Sequence, residues 1–210
     1  MKKTISRILA FTFVIILSGC AATYRPINPP TLIYNSHDLQ AGIGLSYKYD
    51  VLREKGNKKF AKKEDKKGVK LIAIKVTNYS DSVINIGKDF AFFAGQNQIF
   101  PMDPMATKES IKQIVPGYLL YLLLTFTRLN FTKTENGMIT EQESYPIGLV
   151  LGPAITIGNM AVAGTANTNL LRELYEYNIL NRDIQKGETV FGIIGVRDMG
   201  YSPISIKKVK

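Results

Sequence analysis

The chain holds no Trp, one Cys and one His in 210 residues. The lone Cys20 excludes a disulfide within the chain, and the lone His37 excludes a multi-histidine metal site. Without Trp, any sugar-stacking contact falls to the eleven Tyr. Nucleotide signatures are missing too: Gly42-x-Gly44 lacks the rest of a dinucleotide fingerprint, and there is no P-loop. The carboxylates are scattered, so no acid–base pair stands out. The expectation is a protein without cofactor, without metal and without catalysis. Acidic residues are outnumbered 17 to 27, for a net charge of +10. That excess is local. The head Met1–Arg7 holds three of the positive charges, and Arg53–Lys70 holds nine positives against three negatives. The remainder is close to neutral, which excludes a nucleic-acid binder with Lys and Arg spread over a face.

The N-terminus is the most informative stretch. After the basic head, Ile8–Leu17 is apolar apart from Thr12. About ten residues are too few to cross a hydrocarbon layer of roughly 30 Å. Leu17-Ser18-Gly19-Cys20 follows: a large aliphatic residue, two small ones, then a thiol. This resembles the lipobox of bacterial lipoproteins. The resemblance implies that residues 1–19 are a signal peptide and that Cys20 is the lipid attachment site. Cys20 would be linked to diacylglycerol, cut free on its N-terminal side and acylated, as with palmitate, on the new amine. Two or three acyl chains make such an anchor effectively permanent. Ala21 at the next position implies residence in the outer membrane, facing the periplasm, with the cell surface or the cytoplasmic membrane as alternatives. Pro26, Pro29 and Pro30 and the lack of a hydrophobic period make residues 20–38 read as an extended, lipidated tether.

From residue 39 to 210 the pattern is that of strands. Ile43, Leu45, Tyr47, Tyr49 and Val51 alternate with small or polar residues, a period of two. Val69–Asn78, Val83–Ile86, Phe90–Ala94, Gln98–Phe100, Thr189–Val196 and Ile204–Val209 are short apolar segments bounded by turn residues such as Gly95-Gln96-Asn97 and Met199-Gly200. Three motifs, Val76-Thr77-Asn78-Tyr79-Ser80, Phe90–Phe93 and Lys186-Gly187-Glu188-Thr189-Val190-Phe191-Gly192, resemble those of the Ig-like β-sandwich in uncharacterised envelope lipoproteins. The resemblance implies a mainly β fold, an antiparallel sandwich. It is interrupted at about 104–181 by an inserted α-helical hairpin.

The insertion is apolar to an unusual degree. Tyr118–Phe126 is Leu-rich, and 147–164 has no charge. Gly148…Gly152 and Ala154…Gly158 have the spacing that lets helices approach closely. Thr165–Asn181 reads as an amphipathic helix with Leu170, Leu171, Leu174, Tyr175 and Ile179 on one side and an Arg172–Glu176 pair on the other. The expectation is that the apolar faces pack on the sandwich. The alternative is a membrane-inserting or oligomer-forming protein working through 147–164.

Lys58, Lys59, Lys62, Lys63, Lys66 and Lys67 make up the basic stretch, between Gly56 and Gly68. Phe60 and Ala61 are few for an apolar face, so a solvated loop between two strands is expected; the functional alternative is contact with anionic lipid head groups or an acidic envelope partner. His37-Asp38 reads as a surface pair. Ser205-x-x-Lys208 matches an acyl-transfer spacing that works on a helix, but the Ile204/Ile206 alternation makes it a strand. The expected role is a lipid-anchored, non-catalytic binding or scaffolding module of the cell envelope. An envelope enzyme with an unrecognised site is the other alternative.

Overall fold

The computed structural model describes residues 20–197 and 200–209. The expected signal segment 1–19, with Leu17, Ser18 and Gly19 of the expected lipobox, and Met199 of the expected turn lie outside the described residues. After a 3-10 turn at Pro29–Thr31 the elements are β1 (Ser36–Gln40), β2 (Ile43–Lys48), α1 (Val51–Glu54), α2 (Lys58–Lys67), β3 (Val69–Asn78), β4 (Ile84–Asn85), α3 (Ile86–Asp89), β5 (Phe90–Ala94), β6 (Asn97–Ile99) and α4 (Pro104–Ile111). A long 3-10 helix (Val115–Phe126) follows, then β7 (Leu129–Glu135), β8 (Met138–Tyr145), α5 (Gly148–Glu176), β9 (Asp183–Ile184), β10 (Thr189–Arg197) and β11 (Ile204–Lys208). Strand accounts for 34% and helix for 37%, so the fold is mixed α/β with several antiparallel sheets, not mainly β. The chain forms two compact units: Tyr24–Gln113 with Ala166–Lys210, and residues 20–23 with Ile114–Thr165.

In the larger unit, β1-β2-β3-β10 form one antiparallel sheet, β11-β5-β6 a second, and β4-β9 a short pair. β3 explains why helices matter here. It is buried along both faces, and side chains alternate across a strand. Ile72, Ile74 and Val76 point into one core with Ile43, Leu45, Phe92, Val190 and Ile206 from both sheets. Leu71 and Ala73 point the other way, into a second core with Phe60, Ile111, Ala166, Leu170 and Leu174 from α2, α4 and α5. A strand apolar on both faces needs a layer on each, and the helices supply the second one.

The extended segment after Cys20 is packed from Tyr24 onward, where its composition reads as a free tether. Tyr24, Ile27 and Leu32 are buried in the second core. The Glu173 carboxylate of α5 accepts hydrogen bonds from the Tyr24 hydroxyl, from Ile27 N at 3.0 Å and from Asn28 N at 2.7 Å. Burial first, and then that carboxylate, hold the Tyr24 phenol far above its ordinary pKa, so it remains a donor. β1, which also falls in this stretch, pairs with β2 through its backbone, as Ser36↔Tyr47 to Gln40↔Ile43. Its polar side chains hide it from a search for apolar alternation.

Two of the sequence motifs, at Asn78 and at Lys186-Gly187-Glu188, meet in space. Asn78 N donates to Glu188 O at 3.0 Å, and Gly187 N donates to Asn78 O at 2.7 Å. The buried Asn78 amide donates to Ser82 O and Ile184 O, and its oxygen accepts from Ser80 N. Gly187 takes a φ of 75°, which a side chain there would oppose.

The smaller unit differs from an α-helical hairpin. Its first arm is a 12-residue 3-10 helix. Its second is residues 148–165 of α5, one continuous helix with Pro153 inside it. Between them stands the β7–β8 ribbon, whose turn Asn136-Gly137 has φ of 52° and 81°. Positive φ at both central residues suits the turn that joins two twisted strands.

Candidate membrane-facing site

Three features bear on function, each taken within its own unit. The first is Cys20, half-buried and in no disulfide. The next residue is held: Ala21 N donates to the Asn159 side-chain oxygen of α5. Cys20 also lies within electrostatic range of Tyr118 and Tyr121 on the 3-10 helix.

The second feature is the basic stretch, which is an ordered helix, not a loop. Phe60 is fully buried and Ala61 nearly so, and Tyr24 meets the Phe60 ring edge-on at 5.5 Å. Glu64 adds a third inward contact, accepting from Leu71 N at 2.6 Å. Gly68 ends the helix with φ 58°, its N–H on Glu64 O. At the other end Asn57 and Arg25 exchange two hydrogen bonds of 2.8 and 2.7 Å. So few apolar residues suffice because the neighbouring segment provides the socket. At about 100° per residue, Lys58, Lys62, Lys66, Lys59, Lys63 and Lys67 fall on one half of the helix, opposite Phe60, Ala61 and Glu64. Lys58, Lys62, Lys66 and Lys67 are exposed, while Lys59 and Lys63 are half-buried.

The third feature is the apolar surface of the smaller unit. A 3-10 helix repeats every three residues and rises about 6 Å per turn, so side chains at i and i+3 eclipse. Tyr118 and Tyr121 obey this, with rings stacked 6.3 Å apart and 7° from parallel. They face inward. Leu120, Leu123 and Phe126 form another of its three ridges, at 72%, 67% and 83% exposure. Gly148 and Gly152 bring α5 against this helix. A Cβ on Gly148 would stand 2.1 Å from Leu124 O, and one on Gly152 2.5 Å from the Thr125 hydroxyl. The second spacing, Ala154…Gly158, has no such role, for nothing lies within 4 Å of a Cβ at Gly158. The outer face of α5 carries exposed Leu149, Val150, Leu151 and Ile157. The apolar faces expected to be covered are therefore open: 22% of the most apolar 18-residue window of α5 is buried.

The remaining candidates are structural. His37 Nδ1 meets the Ser46 hydroxyl at 2.7 Å across β1–β2, away from Asp38. Ser205 and Lys208 sit in β11, three residues apart on a strand and hence on opposite faces. Arg172 donates to Asn169 at 2.7 Å. Among the described residues, no group of three or more His, Cys, Asp or Glu could hold a metal ion. A cleft of about 330 Å³ between Tyr24, Asn28, Arg172, Glu176 and Tyr177 contains Glu173, whose carboxylate already binds the entering chain. No protein-family profile, curated protein or solved structure matches the chain.

Proposed function

We propose that this chain is a lipid-anchored protein of the bacterial cell envelope, acting as a non-catalytic binding or scaffolding module at the membrane surface. The observation that carries the reading is the lipobox Leu17-Ser18-Gly19-Cys20, which ends on the only Cys and follows a basic head and a short apolar core. Its setting is the outer membrane, on the periplasmic side. Lipid on Cys20 leaves no free thiol, so the chain's one Cys serves attachment and not catalysis.

The packing after Cys20 supports this reading. Four residues of chain join Cys20 to Tyr24, a reach of at most about 14 Å. Tyr24 and Arg25 in turn contact α2, through the Phe60 ring and the Asn57 amide. An anchored chain therefore tethers the unit that carries the lysine helix to the membrane surface. A Debye length is roughly 8 Å, and each Lys near an anionic surface contributes about 1 kcal/mol. Head-group phosphates are the partner that such a helix suits. The larger unit, two antiparallel sheets around a shared core, is read as an Ig-like sandwich carrying this helix on its outer side.

Labelling cells with a palmitate analogue tests the anchor. The full chain takes up label and matures. Cys20→Ser does neither and accumulates as the longer precursor. Normal maturation of that variant without label would overturn the proposal.

A further inference from the structure

A helix that is apolar on every side is stable only in a protein core or in hydrocarbon. The smaller unit has two such helices and leaves their outer faces exposed. Gln113–Thr127 contains no charged residue, and neither does Ile147–Leu171. The exposed ridge Leu120, Leu123 and Phe126 and the α5 face Val150 and Ile157 offer no charge or hydrogen bond that a protein partner could read. Their backbones, by contrast, satisfy their own hydrogen bonds as helices, which is the condition for entering lipid. The 3-10 helix is about 24 Å long. Residues 148–165 of α5 measure about 27 Å, against a hydrocarbon thickness of roughly 30 Å. In the same unit Cys20 lies within electrostatic range of Tyr118 and Tyr121, and Ala21 N donates to the Asn159 side-chain oxygen.

We infer that the pair formed by Val115–Phe126 and the first half of α5 is itself inserted in the bilayer hydrocarbon, in the membrane that receives the Cys20 acyl chains. The inference rests on the lipid-anchor reading for its location; the insertion follows from the exposed apolar faces. It makes the protein attached twice, by acyl chains and by a helical pair. The contact through Gly148 and Gly152 holds that pair together as one inserting body.

The absence of Trp makes the test clean. Leu123→Trp on the 3-10 ridge and Val150→Trp on α5 are each placed in the full chain, with Gln96→Trp in the exposed β5–β6 turn as the control. Each protein, isolated from membranes as the cell makes it, is reconstituted into phosphatidylethanolamine/phosphatidylglycerol vesicles with or without bromine on the acyl chains. For an inserted pair, emission from positions 123 and 150 shifts to the blue and falls by about half on acyl-chain bromination, as for side chains lying several ångström inside the head groups. Emission from position 96 does not change. The intact mass of the same samples reports separately whether Cys20 is acylated. Quenching at 123 or 150 without acylation keeps the inference and removes the lipid anchor. Acylated protein with neither position quenched overturns the inference. Blue-shifted emission without quenching also overturns it, and assigns the faces to a second copy or another protein.

Discussion

Glu64 links one buried side chain to the pH dependence of the whole unit. Burial pushes its carboxyl up from 4.5 to about 7, opposed by the Leu71 N–H and by Lys70 and assisted by Asp50 and Asp65. The unfolded chain ionises near 4.5, so between about 4.5 and 7 the folded state binds more protons than the unfolded one. The contribution of Glu64 to stability is then fullest below 4.5, falls as pH rises through this window, and levels off above 7. A shift of this size corresponds to on the order of 3 kcal/mol. Glu64→Gln keeps an oxygen for Leu71 N and has no charge to bury. It is expected to be more stable than the parent at pH 8, by about 1–3 kcal/mol, and to lose most of the slope between pH 5 and 7. Urea titrations at pH 5, 6, 7 and 8 measure both, and an unchanged slope would show that another group sets it. Glu173 is as buried, but Tyr24, Ile27 N and Asn28 N surround it with three donors. Those three donors make the Glu173 carboxylate a clasp between α5 and the entering chain.

At the scale of elements, small residues decide which helices touch. Gly148 and Gly152 meet Leu124 and Thr125 of the 3-10 helix, while a Cβ at Gly158 or Gly164 would meet nothing within 4 Å. Gly148→Ala must push the helices apart, since a Cβ there would overlap a carbonyl oxygen. Gly158→Ala meets no neighbour and gains helix propensity, about 0.5–1 kcal/mol. Hydrogen exchange of the full chain gives the comparison. Gly148→Ala should speed exchange across Val115–Phe126, by about tenfold for each 1.4 kcal/mol lost, with β3 unaffected. Gly158→Ala should leave that helix unchanged or slower, and equal acceleration in both variants would refute the contact. These elements were unevenly legible. The strands from β2 through β11 with a period of two or a turn on each side were readable. β1 was not, because its side chains are polar, and α2 was misread because its socket comes from Tyr24 and Asn57, outside the helix. The β7–β8 ribbon hid behind exposed polar residues, although Asn136-Gly137 is the turn signal that marks it.

At the scale of the molecule, the lysine helix and the uncharged helices fall in different units. The lysines of α2 belong to the larger one, and the uncharged helices to the smaller one. If head groups engage α2, the amides of Lys58–Lys67 in the full chain exchange on the order of tenfold slower on phosphatidylglycerol than on phosphatidylcholine vesicles. The difference should vanish at 1 M salt, where the Debye length is about 3 Å. Equal exchange on both vesicles would leave these lysines as a solvated face and nothing more. The candidate anchor, Cys20, is a matter of sequence alone, because the expectation rests on the adjacent residues Leu17-Ser18-Gly19-Cys20 and on no contact distant in sequence. The concentration of charge in one short segment and the alternation of most strands are equally local, and local periodicity survives in a linear string. Three things needed the tertiary structure: that β3 is covered on both faces, that a lysine-rich segment becomes an ordered helix, and that the inserted apolar faces stay open. Each depends on which residues distant in sequence come to lie beside a segment, and burial belongs to that assembled environment and not to the segment itself.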